Sequence, residues 1–240
     1  MSILSLDIEI YTDWKEPLTP KIAVNDTYEI AKQIDILLGR TKTWYLSGDT
    51  PEEALTRVAF DKQGITKESI KDFEDGYTEA YPMVMSGIWD GENNTNGCVI
   101  FYHNYRRNQL GQTKIEINLS IKETEFQFNK LLDFVNFLVS HHYAPSITLE
   151  NGKYSLKRKQ VFPDRLSAGW MLYLPIEINS AMVSMAEEII PITDKHGEAG
   201  SLIITTKDIF DIENQEHINK ANDIEICLRD LQLLPLMAEV

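Results

Sequence analysis

Cysteine is almost absent, with only Cys98 and Cys227 in 240 residues. Two thiols cannot form a disulfide framework, and both lie in apolar stretches. They are expected to be buried and free, in a reducing compartment. Long apolar runs are missing too. No window approaches the roughly 18 uninterrupted apolar residues of a spanning helix. The start, Met1-Ser2-Ile3-Leu4-Ser5-Leu6-Asp7, has no basic leader or small-residue cleavage site, so a cytoplasmic protein is expected. Glycine is scattered (12 residues) and never clustered. That excludes a Walker or dinucleotide phosphate loop, and no Gly-x-Ser-x-Gly appears. Bases are scarce: 23 against 37 acids, for a net charge of -14. Such a chain repels the polyanions of nucleic acid and anionic membrane, and it attracts basic partners.

What is present is an ordinary apolar share, 43%, enough for a proper core. Leu4, Leu6, Ile8 and Ile10 alternate with polar residues and predict a strand. Pro17 and Pro20 predict a loop. Asp26 followed by Glu29 predicts a capping box, opening a helix with Ile30, Ile34, Leu37 and Leu38 on one face and Gly39 at its end. A short strand is expected at 43–46. Thr50, Pro51 and Glu53 then predict a strong helix start, running toward Gly64, with another short helix at 67–73. Strands at 83–89 and 98–103 flank a polar hairpin loop, and Ile115, Ile117, Leu119 and Ile121 alternate again. The longest helix is expected over 124–142. Strands at 146–149, 154–157, 169–174 and 202–205 precede a last helix at 214–231, with Ile218, Ala221, Ile224, Ile226 and Leu228 as its apolar positions. This order predicts an α+β fold, mainly antiparallel sheet with helices packed on it. One domain over 1–240 is expected, with the best internal subdivision near 106–112.

Charge is uneven. Residues 187–240 carry twelve acids and four bases, while Lys153, Lys157, Arg158, Lys159 and Arg165 form a local basic stretch. No metal or cofactor set emerges. His141 and His142 are adjacent at a helix end, where the helix dipole favours them, and they diverge by about 100°. His103, His196 and His217 lack partners at ligand spacing. Asp90, Glu92, Asn94 and Asn96 alternate as in a calcium loop, but Thr95 stands where glycine is needed and Phe101 where glutamate is needed. Asp164 and Glu177 have the spacing of a nuclease carboxylate pair, yet Asn179 replaces the required lysine and Pro175 interrupts the strand. Tyr102, His103, Tyr105, Arg106 and Arg107 suit a stacking platform for single strands, which the overall charge opposes.

Three segments together carry a resemblance. The first is Thr43-Trp44-Tyr45-Leu46-Ser47-Gly48-Asp49-Thr50-Pro51-Glu52-Glu53-Ala54-Leu55. The second is Val161-Phe162-Pro163-Asp164-Arg165, followed by Gly169-Trp170-Met171-Leu172-Tyr173-Leu174-Pro175. The third joins Phe210-Asp211, Asn214, Glu216-His217-Ile218, Ala221-Asn222, Ile224-Glu225 and Leu233-Leu234-Pro235. In this order and spacing, over about 25–236, the chain resembles the immunity protein 52 family of bacterial polymorphic-toxin systems. The resemblance implies a protein made beside a secreted toxin that binds and neutralises it. The toxins in question resemble restriction-endonuclease-type DNases, often delivered by type VI secretion. It brings no catalytic residue and no cofactor.

The expectation is therefore a non-enzymatic toxin inhibitor whose partner is a nuclease with a basic surface. Fast association would follow from opposite charge. Asp208, Asp211, Glu213 and Glu216, together with Asp90 and Glu92, are its expected acidic contacts. The alternatives are a metal-dependent hydrolase using Asp164 and Glu177, and a scaffold protein of a secretion system. Oligomeric state is not fixed by the sequence.

Overall fold

The computed structural model describes residues 2–15, 17–92, 97–104 and 111–240. Its elements follow the order β1 (Ile3–Asp13), α1 (Pro20–Leu37), β2 (Trp44–Leu46), α2 (Pro51–Ala54), β3 (Val58–Asp61), β4 (Gly64–Ile65), α3 (Lys67–Glu74), β5 (Met85–Trp89), β6 (Cys98–Asn104) and β7 (Gln112–Lys122). Then come α4 (Phe128–His141), β8 (Ser146–Asn151), β9 (Met171–Leu174), β10 (Glu188–Thr193), β11 (Ala199–Ile204) and α5 (Gln215–Asp230). Every strand pairing described is antiparallel, so the chain has the α+β class expected of it. The chain divides into two compact units, Met1–Ile3 with Asp13–Leu138 and Leu4–Thr12 with Val139–Val240. Most of the loop 106–112 lies outside the described residues.

In the first unit the strands run β7-β6-β5-β2-β3-β4. Burial alternates residue by residue along β5, β6 and β7, as the period of two requires. The inward set, including Ile88, Ile100, Tyr102, Ile115 and Ile117, is closed over by α1, which packs on β6 and α3. Helix α1 starts earlier than expected. Thr19 caps it, its hydroxyl accepting from Ile22 N at 3.3 Å, and Pro20 sits in the first turn, where its missing N–H costs nothing. Asp26 is thus not a cap: it lies mid-helix on the inner face, 3% exposed, beside Tyr102. Gly39 does end the helix in the left-handed region, at φ 63°. The Thr50 cap is present, with its hydroxyl accepting from Glu53 N and Glu53 Oε2 accepting from Asp49 N. But α2 is a single turn, and the hairpin β3–β4 occupies the residues expected to continue it. Helix α4 is shorter than 124–142, beginning at Phe128 after a 3-10 turn at Glu123–Glu125, and α1 is longer.

In the second unit the order is β10-β11-β9-β8-β1. Residues 146–150, all of β9 and residues 200–204 are buried at every position, so these strands are covered on both faces. Strand β10 was not foreseen. Residues 154–157, expected as a strand, instead form successive turns, because Gly152 and Lys153 both take positive φ (73° and 63°) and turn the chain out of β8. Asn214 caps α5 by accepting from Glu216 N at 2.9 Å. Ile226, expected on its buried stripe, is exposed, and Cys227 is only half-buried, with its thiol donating to Met182 O at 3.1 Å. Cys98 is buried and free.

Candidate binding surface

Of the six expected acidic contacts, Asp90 and Glu92 belong to the first unit and Asp208, Asp211, Glu213 and Glu216 to the second. Asp90 is buried, with its side chain fully enclosed. It pairs with Arg40 and accepts from Glu92 N at 3.1 Å. A carboxylate held in this way braces the loop and cannot face a partner, so Asp90, expected as a contact, is an interior residue. Glu92 is exposed and ion-paired with Lys42, which holds its carboxyl below the ordinary range. The remainder of that hairpin loop, residues 93–96, lies outside the described residues. Asp208, Asp211, Glu213 and Glu216 are all exposed and close in sequence in the second unit, around the start of α5. Asp211 and Asn214 each spend a side-chain oxygen on local backbone N–H groups, which orders this acidic turn.

Asp164 and Glu177 are both exposed, in separate loops. Among the described residues no group of three His, Cys, Asp or Glu could hold a metal ion. His141 ends α4, with its ring at 87° to that of the fully buried His142.

The outer face of the first unit holds a feature the sequence reading did not isolate. Opposite the face that α1 covers, β5 and β6 turn Met85, Trp89, Val99, Phe101 and His103 outward. Val99 faces Trp89 across the ladder, Phe101 faces Gly87, and His103 faces Met85. Tyr45 on β2 continues the row, its ring 6.4 Å from that of Trp89, and Leu55 adjoins Tyr45 beside Gly91. Phe101 lies over Gly87, so close that a Cβ there would sit 3.4 Å from its ring. The His103 ring packs edge-on at 5.0 Å, and burial among these groups lowers its pKa. Met85 is 68% exposed and Val99 and Leu55 more than 40%, while the aromatic rings are half-buried. Asp49, Glu52 and Glu53 precede Leu55 and are exposed, and Glu92 O accepts from the Trp89 indole at 3.0 Å. The result is an apolar, largely aromatic strip with acids at its margin. Its sequence signal was the unbroken apolar and aromatic run from Cys98 to Tyr102, which as a strand puts apolar residues on both faces.

Several residues of the three segments are interior, while most of the first segment is exposed. Trp44 is buried, and Trp170 is fully enclosed, its indole donating to Thr206 O at 2.9 Å. Gly169 takes φ 47°, and a Cβ there would meet Leu149 O at 3.1 Å, so the close approach of this turn to β8 needs glycine. Segments two and three lock together. Arg165 donates to Leu234 O, Leu166 N donates to Pro235 O at 3.1 Å, and the Arg229 guanidinium lies 4.7 Å over the Phe162 ring. At the centre is Glu225, 1% exposed, accepting from Val161 N at 2.7 Å, Ala168 N at 3.0 Å and Tyr154 OH at 3.2 Å. Burial pushes its carboxyl up to about 7 in spite of these donors, and nearby Glu150 adds to the rise. The one Tyr154 hydroxyl proton is shared between Glu225 and the nearer Asn222 Oδ1, at 2.7 Å, while Glu150 accepts from Ser155 and Ser167. These groups have their hydrogen bonds satisfied internally, as buried polar groups must.

No family model and no curated protein matches the chain. Among solved structures the fold is similar to that of the T6SS protein PA0821 of Pseudomonas aeruginosa. That match has a TM-score of 0.50 and 9% identity, covering 94% of this chain and 72% of the other. At that identity the likeness is one of fold. No helix among the described residues is long and apolar enough to cross a membrane.

Proposed function

We propose that this chain is an immunity protein that binds and neutralises a toxin encoded beside it, a DNase of the restriction-endonuclease type with a basic surface. The observation that carries this reading is the aromatic strip of the first unit. Trp and Tyr at the centre of an exposed patch, with a charged margin, is the composition of a protein-binding surface. Its exposed acids and the net charge of -14 suit a basic partner and speed encounter by roughly 10- to 10³-fold at low salt. The three-segment resemblance supplies the immunity role, and the fold shared with a type VI secretion protein fits that setting. A DNase must be stopped in the cytoplasm of the cell that makes it, which is where the protein is proposed to act.

Co-expression tests this reading. The adjacent gene's product is expressed in a bacterial host with and without this chain, scoring survival and recovery of a complex. Rescue with a stable complex is expected. Toxicity that the chain neither relieves nor binds would sink the proposal. Sustained plasmid cleavage by the chain itself with Mg²⁺, lost in Asp164→Ala, would replace it with the hydrolase reading.

A further inference from the structure

The connection between β8 and β9 is long for two strands that pair directly. Residues 152–170 separate them, where a hairpin needs only a few. It leaves β8 through Gly152 and winds into tight turns, with Lys153 and Arg158 in the left-handed region at φ 63° and 56°. Lys157 N donates to Lys153 O at 2.9 Å, Arg158 N to Ser155 O at 2.8 Å and Lys159 N to Tyr154 O at 3.1 Å. Beyond Pro163 the chain is tied to the C-terminal segment, with Met237 N donating to Asp164 O at 2.9 Å and Leu166 N to Pro235 O at 3.1 Å. Residues 153–163 are held differently, by two enclosed carboxylates. Glu150, 6% exposed, accepts from Ser155 N at 3.0 Å and Ser155 Oγ at 2.9 Å. Glu225 accepts from Val161 N and from Tyr154. Neither forms an ion pair among the described residues. Asp7 stands opposite Glu150 in the β1–β8 register, and its buried Oδ2 has no hydrogen-bond partner among the described residues.

These carboxyls act on one another. Burial raises the pKa of both Asp7 and Glu225, and the charge of Glu150 adds to each rise. At Asp7, Lys153 lowers it and Glu9 raises it further. Arg229, one turn along α5 from Glu225, faces Phe162 and Asp230 instead. Like charges enclosed without a cation are costly, so such a cluster retains a proton. Glu225 has a place for one. When Tyr154 gives its single proton to Asn222 Oδ1 at 2.7 Å, its oxygen can accept from a protonated Glu225 at 3.2 Å. Burial and Glu225 hold the Tyr154 phenol far above its ordinary range, so it stays protonated.

We infer that residues 153–163 form a proton-operated strap. Protonated Glu225 keeps it closed. Loss of that proton beside Glu150 lifts the strap and lets water reach both carboxylates, while β8 and β9 stay paired. Under the closed strap Glu225 has a pKa of about 7, and opening returns it to its ordinary 4.5. Closure is therefore fully favoured below pH 4.5 and weakens progressively as pH rises to about 7. The device does not depend on the toxin reading.

The test is amide hydrogen exchange of the full chain from about pH 5 to about pH 8, corrected for the intrinsic pH dependence of exchange. The reporters are the amides of Ser155, Lys157, Arg158, Lys159 and Val161, all hydrogen-bonded in the closed strap. Their opening equilibrium is expected to rise about 70-fold across that range and to level off above pH 7, as the two pKa values require. Amides of the β8–β9 ladder are expected to exchange more slowly than the strap at every pH. Glu225→Gln should abolish the rise. Tyr154→Phe removes a hydrogen bond that lowers the Glu225 pKa, so it should move the levelling point above pH 7. Strap protection that does not change with pH overturns the inference, as does the same rise in Glu225→Gln. Strap amides that exchange only together with the β8–β9 ladder overturn it as well, because then no separate opening exists. Should Glu225→Gln fail to fold, Tyr154→Phe decides, and an unmoved levelling point overturns the strap.

Discussion

The two units handle an antiparallel sheet in opposite ways. In the first, β5, β6 and β7 bury one face under α1 and leave the other half open, so burial alternates along each strand. In the second, β9 and most of β8 and β11 are enclosed on both faces, and polar groups such as Glu150, Thr148 and Ser201 are buried with the apolar ones. An open face costs little stability to change and is free to meet a partner. A doubly covered sheet has no such freedom, and its exposed chemistry moves out to the loops. The same kind of residue therefore does different work in each unit, and substitutions should separate the two.

Trp170→Ala and Trp89→Ala make the sharpest contrast. Trp170 is fully enclosed and hydrogen-bonded, so its loss should cost about 3–5 kcal/mol in urea unfolding. Trp89, half-buried on the open strip, should cost about 1 kcal/mol or less, while Trp89→Ala with Phe101→Ala should weaken binding of the proposed toxin by at least about 30-fold. Equal destabilisation at the two tryptophans would erase the distinction between the units.

Asp90→Ala should destabilise the first unit by about 1–3 kcal/mol, since it removes the enclosed partner of Arg40 and leaves that guanidinium with Asp35. Glu92→Ala, at an exposed pair, should change stability by less than about 1 kcal/mol and slow association at low salt. A stopped-flow on-rate indifferent to both Glu92→Ala and added salt would remove the acidic margin from the encounter.

The second unit should respond to pH through Glu225. Its folded pKa, about 7, lies above the ordinary 4.5. The contribution to stability is therefore fully present below pH 4.5 and is lost as pH rises to about 7, an effect on the order of 3 kcal/mol. Glu150 and Tyr154 face the same carboxyl, Glu150 raising its pKa by charge and the Tyr154 hydroxyl lowering it by hydrogen bonding. Urea midpoints measured across that window should fall with rising pH in wild type. In Glu225→Gln that slope should be missing, and the whole curve should be lowered because an amide N–H₂ replaces one of the two accepting oxygens and faces either the Val161 or the Ala168 N–H. An unchanged slope would show that Glu225 does not titrate there.

The smallest effect has the opposite sign. Arg158→Gly relieves a left-handed residue and should raise stability by about 0.5–1 kcal/mol. A thermal melt decides it, and a variant that is no more stable would mean the turn is not strained.

Much of the fold was legible where the signal was local. The alternation of Ile115, Ile117, Leu119 and Ile121, the Thr50 cap and the Asn214 start all appear as read. The errors share one cause. Asp26 followed by Glu29 has the spacing of a cap, but α1 had already begun at Thr19, and a partly polar core took the aspartate in. Residues 154–157 alternate as a strand does, yet φ at Gly152 and Lys153 and the pull of Glu150 on Ser155 turned them outward. Asp90 looked like a loop acid until Arg40, fifty residues away, came to face it.

By itself the sequence determined the class of this protein: the antiparallel α+β pattern, the acidic charge, the shortage of cysteine and glycine, and the caps. Each depends on composition or on neighbours a few residues apart. Only the tertiary structure decided which residues are available to a partner. It buried Asp90 and Glu225, left Leu156 in water, and opened one sheet face while closing the strands of the other unit on both sides. Exposure is set by what packs over a residue from distant parts of the chain, and no local pattern records that.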